Sequence, residues 1–202
     1  MLYCEPVNDP SDNHRRAVFL DRDGTIAHEV GYVNHPDRFR LFAFAPRAVR
    51  LLNALGLRVF VVTNQSGVAR GYFTEETLAE VHRRLRDGLS RGGASVDAIY
   101  HCPHLPAITG DCECRKPRPG MLRRAARDHG VDLGRSWVVG DMITDVEMGR
   151  AVGARTILLK TGYGLGQLTY QKDRWAVEPD VVCDNLLDAA RLIAREAGGG
   201  TG

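Results

Sequence analysis

The sequence predicts an α/β fold, a doubly wound and mainly parallel sheet covered by helices on both faces. Three observations carry this expectation. Short apolar runs without polar alternation recur along the chain, as in strands buried on both sides. Between them lie segments with apolar residues at helical spacing, punctuated by proline at the start and glycine at the end. The residues best suited to chemistry, Asp21 with Asp23, Thr63 with Asn64, and Asp141, each follow such a run directly, where ligands of open α/β sheets collect.

Ala17 to Leu20 is the first strand. Pro46 then opens a helix bearing Val49, Leu52 and Leu55, with Gly56 at its end, and the β-branched run Leu57 to Val62 forms the second strand. Thr74 is placed to cap a helix whose Leu78, Val81, Leu85 and Leu89 share one face up to Gly92, followed by a short strand over Val96 to Tyr100. The alternation then repeats. Pro119 opens a helix with Leu122, Ala125 and Ala126; Trp137 to Val139 is a strand; Thr144 to Val152 is a helix closed by Gly153; Thr156 to Leu159 is a strand. Val181 to Cys183 adds one more strand, and Asp184 or Asn185 caps a last helix through Leu187, Ala190, Ile193 and Ala194. Gly162-Tyr163-Gly164-Leu165-Gly166 has the wrong glycine spacing for a dinucleotide loop and no helical pattern at once behind it, so a nicotinamide site is excluded. Met142, Met148 and Trp137 read as packing residues.

A chain of 202 residues with 44% hydrophobic content supports one core, hence an N-terminal extension over 1–16, a single domain over 17–197 and a flexible glycine-rich tail over 198–202. The net charge is only +2, so no broad basic surface and no nucleic-acid partner are expected. No segment has the apolar length of a signal peptide or a membrane span, so the expected location is cytoplasmic and the default assembly a monomer.

Asp21 and Asp23 stand two apart at the end of a strand, so their carboxylates can serve one task, and Gly24 permits a sharp exit. Cleaving a phosphate ester needs a nucleophile, a proton donor for the leaving oxygen and positive charge against the phosphoryl oxygens; carboxylates can fill the first two roles. An isolated D-x-D-G is equally a turn or a helix cap, and only its partners distinguish the two. Asp141, with Asp21 and a main-chain carbonyl, makes a set of hard oxygen ligands suited to magnesium. Asp145 lies four residues on and suits a place behind the ion better than direct ligation, since a first-turn carboxylate also satisfies a helix dipole. Thr63-Asn64-Gln65-Ser66-Gly67 offers hydroxyl, amide and backbone donors to phosphoryl oxygens, and Lys116 supplies a cation.

Cys102, His104, Cys112 and Cys114 form two short pairs separated by seven residues, a pattern for tetrahedral zinc. With all four positions filled by protein, that zinc is structural. Because Arg115 and Lys116 follow at once, the zinc loop over 102–114 is expected to fix these cations in the site.

In this order, Asp21-Arg22-Asp23-Gly24-Thr25, Thr63-Asn64, Lys116 and Gly140-Asp141 with Asp145 resemble the motifs of the haloacid dehalogenase superfamily, over roughly Ala17 to Ala194. The resemblance implies the Rossmann-like core of that superfamily without a large cap domain. It also implies that Asp21 is the nucleophile, Asp23 the general acid and base, Thr63 a phosphoryl-binding hydroxyl and Lys116 the stabilising cation, with magnesium held by Asp21, the Asp23 carbonyl and Asp141. The zinc pairs before Arg115-Lys116-Pro117 are similar to the branch shared by histidinol-phosphate phosphatases and heptose 1,7-bisphosphate 7-phosphatases. Gly31-Tyr32-Val33 and the run Thr63 to Thr74, with Ser66 and Ala69-Arg70-Gly71, look like the heptose branch. That likeness implies a small phosphorylated sugar substrate in heptose precursor synthesis for lipopolysaccharide or related glycans. Asn64 and Gln65 would bind substrate, and Arg70 and Arg115 its distal phosphate. The chain departs from the pattern in its shorter segment between the zinc pairs and in its N-terminal extension. A polynucleotide 3′-phosphatase and a zinc-stabilised binding module without turnover are the more distant alternatives.

Overall fold

The computed structural model describes residues 15–198. The expected extension and tail therefore lie almost wholly outside the described residues. Between them runs one six-stranded sheet, parallel throughout, in the order β3-β2-β1-β4-β5-β6. Its strands are β1 Ala17–Leu20, β2 Arg58–Asn64, β3 Ala98–Cys102, β4 Trp137–Gly140, β5 Arg155–Leu159 and β6 Val181–Cys183.

The alternation within β1 explains why its sequence shows none in polarity. Val18 and Leu20 enter one core with Val59, Val61, Val139 and Ile157, while Ala17 and Phe19 enter the opposite core with Phe60, Val62 and Val138. All four residues of β1 have no exposed surface. The first core is closed by helices α1 Ala45–Ala54, α2 Glu75–Arg91 and α7 Leu186–Gly198. The second is closed by α4 Gly120–His129 and α5 Ile143–Arg150. Removing both strand faces from water is the main source of stability in such a layered fold.

The helix signals act as the sequence implied, with small shifts. Thr74 Oγ1 accepts from Thr77 N–H at 3.3 Å, and Asn185 rather than Asp184 caps α7, accepting from the N–H groups of Leu187 and Asp188. β2 runs two residues past the apolar stretch because Thr63 and Asn64 pair with His101 and Cys102, and β3 begins later than expected. Two short helices had no signal: α3 Pro106–Thr109 inside the zinc loop and α6 Gly164–Tyr170. The second corrects the expectation that no helix follows Gly162. With seven residues and only Gly164 and Gln167 buried, α6 is too short to display a period.

Strand order sets the position of the site. β2 and β3 lie on one side of β1, and β4, β5 and β6 on the other. The chain therefore reverses direction across the sheet between β1 and β4, which opens a crevice beyond their carboxyl ends. No helical cap covers it among the described residues. Residues 21–44 instead form a loop pinned by isolated bridges from Ala27 to Asp23 and Leu41, and by Arg38, whose guanidinium donates to the carbonyls of Val30 and Tyr32 and to Asn34 Oδ1.

Candidate active site

Asp21 is carried by the hydrogen bond of its N–H to the carbonyl of Val139 at 2.9 Å, one step past the end of β1. Its Oδ1 is 2.7 Å from Lys116 Nζ, and the same ammonium is 2.7 Å from Asp145 Oδ1. Asp145 also caps α5, its Oδ2 accepting from the N–H of Met142 at 3.2 Å. One side chain thus serves the start of α5 and the Lys116 ammonium together. Lys116 reaches this position because its backbone is hooked to β2: its N–H donates to Asn64 Oδ1 at 3.1 Å, and Asn64 Nδ2 donates to its carbonyl at 3.3 Å.

Asp141 extends from β4 toward Asp21. Its Oδ2 accepts from the N–H of Tyr163 at 2.8 Å, while its Oδ1 is buried without a hydrogen-bond partner. Close backbone approach is required beside it. Gly24 has φ +77°, and a Cβ there would stand 2.1 Å from Asp141 Oδ2, so no other residue fits.

The charges of this cluster are out of balance. Burial pushes Asp21 up to about 7; Lys116 opposes the rise, and Asp145 and Asp23 add to it. Asp141 is pushed up to about 8 by burial and then by the charges of Asp21 and Asp145. Burial works to lower Lys116, yet Asp145 and Asp21 hold it above its ordinary value. Carboxylate oxygens of Asp21, Asp141 and Asp145 lie within 4.8 Å of one another. An orphaned oxygen and two carboxyls that resist ionisation fit a hard divalent cation, which would supply the missing positive charge. Asp21 and Asp141 can hold it, since both oxygens of Asp145 are taken, Oδ1 by Lys116 and Oδ2 by the Met142 N–H, while Asp21 gives Lys116 only its Oδ1.

The cleft around these groups measures about 280 Å³. Asp23, Thr63, Asn64, Gln65 and Arg115 line it with the charged cluster. Thr63 Oγ1 accepts from Gln65 Nε2 at 2.8 Å, and the same amide donates to Asp23 Oδ2 at 3.0 Å. Asp23 faces the cleft, but its carboxylate turns toward Arg22 and Gln65 and takes no part in the acidic metal group. Arg115 lines the cleft and donates to the His104 carbonyl at 3.1 Å. Arg70 does not line it; the turn from Ser66 to Tyr72 carries its guanidinium over the ring of Tyr32, 6.0 Å from the centroid. Met142, read from sequence as packing, lines the cleft. Gly31 and Tyr32, from the Gly31-Tyr32-Val33 segment, line it too, and Glu29, Thr144 and Tyr163 do so without any sequence signal.

Cys102 ends β3, and the loop brings His104, Cys112 and Cys114 back to it. Five of the six separations in this set are 3.1 to 3.6 Å, between sulfurs or from sulfur to His104 Nδ1. A tetrahedron around zinc has edges of roughly 3.5–3.8 Å, so the four groups fit that ion. Gly120 locks the loop onto α4: its N–H donates to the Glu113 carbonyl at 2.9 Å, and a Cβ would stand 2.2 Å from that oxygen.

Comparison with known proteins agrees with this geometry. Residues 113–189 match the HAD-hydrolase-like family model. The chain is 40% identical over 190 residues to D-glycero-D-manno-heptose-1,7-bisphosphate 7-phosphatase of Thermosynechococcus vestitus, covering 89% of this chain and 95% of that protein. It is 45% identical over 144 residues to the D-glycero-beta-D-manno-heptose-1,7-bisphosphate 7-phosphatase of Rhodopseudomonas palustris, covering 69% of this chain and 80% of the relative. A crystal structure of D,D-heptose 1.7-bisphosphate phosphatase from B. bronchiseptica, complexed with magnesium and phosphate, superposes with a TM-score of 0.82 at 35% identity, covering 90% of this chain and 99% of that one. Among the described residues no helix is long and apolar enough to cross a membrane. With the acidic strand ends, the buried lysine and the four-ligand loop in their places, the chain belongs to the D-glycero-D-manno-heptose 1,7-bisphosphate 7-phosphatase family of HAD-like hydrolases.

Proposed function

We propose that this protein hydrolyses the 7-phosphate of D-glycero-D-manno-heptose 1,7-bisphosphate through a phospho-aspartate on Asp21, in heptose supply for lipopolysaccharide or related glycans. The observation that carries the reading is the buried arrangement of Asp21, Lys116 and Asp145 with Asp141 beside it. An Asp21 oxygen attacks phosphorus while the bond to the sugar oxygen breaks, and that oxygen takes a proton from Asp23. Asp23 then accepts a proton from the water that releases phosphate from Asp21. Thr63 and the N–H groups after β2 hold phosphoryl oxygens, and Lys116 keeps the Asp21 oxygen anionic and oriented. Asp21, the Asp23 carbonyl and Asp141 would hold a magnesium ion, supported by Asp145, and the ion would supply positive charge against the phosphoryl oxygens.

Arg115 at the cleft is the first contact for the distal phosphate, and Arg70, beyond Tyr32, is the outer one. Zinc in the loop is structural in this reading. A monomer is the working unit, because one chain supplies every group the mechanism uses.

Phosphate release is to be measured with both anomers of the heptose bisphosphate, with histidinol phosphate and with a 3′-phosphorylated oligonucleotide. The expected preference is for a heptose bisphosphate. Preference for histidinol phosphate would overturn the substrate, and equal inactivity on all would favour a binding module. Asp21→Asn is expected to abolish release while leaving the thermal melt and zinc content unchanged; retained turnover would remove Asp21 from the nucleophile role.

A further inference from the structure

Arg22 is the largest fully buried side chain described, 1% exposed, and it lies between the two acids of the motif in sequence. A guanidinium is rarely sealed from water unless every face is engaged. This one is. Its Nη2 donates to Asp23 Oδ2 at 2.8 Å, and its Nε is 3.1 Å from both Asp23 oxygens. Its Nη1 meets His82 Nε2 at 3.4 Å, and Phe39 lies against it with the ring centroid 5.9 Å away. His82 stays neutral, pushed down to about 3 by burial and then by Arg22, and because a guanidinium can only donate, the ring nitrogen facing it, Nε2, is the one that carries the lone pair and accepts from Nη1.

The two oxygens of Asp23 are therefore not equivalent. Oδ2 takes the Nη2 hydrogen, the Gln65 amide at 3.0 Å and a share of the Nε hydrogen, whereas Oδ1 has only the other share. A carboxylic acid carries its proton on the oxygen with free lone pairs, and the saturated oxygen acts as acceptor only. We infer that Arg22, backed by His82, is a positioning residue for proton transfer: it fixes Oδ2 of Asp23 as the anchored oxygen and leaves Oδ1 to carry the proton to and from the reacting oxygen. In the first step the phosphorus–oxygen bond breaks, its electron pair stays on the leaving oxygen, and the Oδ1 proton moves to that oxygen to give a neutral alcohol. The inference rests on the reading of Asp23 as general acid.

Leaving-group dependence tests it. A sugar alkoxide needs a proton as it departs, while p-nitrophenolate leaves as the anion without one. Because kcat/KM reports only steps through departure of the alcohol, its ratio for heptose 1,7-bisphosphate over p-nitrophenyl phosphate isolates proton donation. The ratio is also independent of the active fraction in a preparation. Arg22→Lys keeps the charge but loses the fork, and is expected to lower the ratio about 100-fold, within the range for general-acid catalysis, with p-nitrophenyl phosphate turnover little changed. Should Arg22→Lys fail to fold, His82→Leu removes only the acceptor behind the guanidinium and is expected to lower the ratio about fivefold, a small part of that range. An unchanged ratio in whichever of these variants folds would overturn the inference. Asp23→Asn separates the two ideas. If it leaves the ratio unchanged, the general-acid reading itself fails; if it lowers the ratio and Arg22→Lys does not, only the role of Arg22 fails.

Discussion

Lys116 between two carboxylates is the contact whose removal is best defined energetically. Asp145→Asn keeps the size of the side chain and an oxygen to cap Met142, and removes one charge from a residue that is 1% exposed. At 2.7 Å, the Lys116–Asp145 attraction at an effective dielectric of about 20 is about 6 kcal/mol. Repulsion between Asp145 and Asp21, no more than 4.8 Å apart, offsets at least about 3.5 kcal/mol of it on the same scale. The expected loss of stability is therefore up to about 2.5 kcal/mol, just under what breaking a buried ion pair usually costs. Urea unfolding at neutral pH reads it directly as a shift in midpoint at constant slope. Turnover should fall as well, because Lys116 loses one of the two partners that hold it against Asp21. A stability change below about 1 kcal/mol, the range of exposed pairs, with turnover intact would refute the view that Asp145 holds the lysine in place.

Other consequences are open to the same kind of test. Cys112→Ser should release zinc, measured by a colorimetric chelator, and lower turnover; full activity in the zinc-free protein would separate the loop from the chemistry. Gly24→Ala places a Cβ against Asp141 at a backbone angle unfavourable to alanine, and should weaken magnesium activation at least about tenfold, within the usual effect of disturbing a metal ligand's support. His82 is pushed down to about 3, so below its unfolded value near 6.5 the unfolded chain takes up a proton that the folded chain does not. Stability is thus lost as pH falls through that window, and at pH 5 the share due to His82 is about 2 kcal/mol. In His82→Gln that part of the slope should vanish when urea midpoints at pH 7 and pH 5 are compared.

The strands were readable because burial on both faces leaves no polar residue inside a run such as Ala17 to Leu20, and the acids could be placed because each begins where such a run stops. Long-range contact was not readable in the same way. Arg22 and His82 are 60 residues apart, and nothing in either neighbourhood announces that they meet. The N–H of Tyr163 that holds Asp141 is a backbone donor, which any residue could supply, so the Gly162 to Gly166 segment showed only what it was not. How far Arg70 stands from the reacting groups was not readable either: the direction of a side chain is set by the turn that carries it, and the turn from Ser66 to Tyr72 sends this guanidinium over Tyr32 at the edge of the cleft.

The reciprocal hydrogen bonds between Asn64 and Lys116 mark the far end of a segment whose near end, Cys102, is paired to Asn64 in the sheet. Both ends of the zinc loop are thus tied to the same residue of β2, like a lace drawn through one eyelet. What lies between the ligand pairs can lengthen or shorten without changing where the lysine arrives. The length of that segment and the delivery of the cation are in this way physically uncoupled, and one can be redrawn while the other stays put.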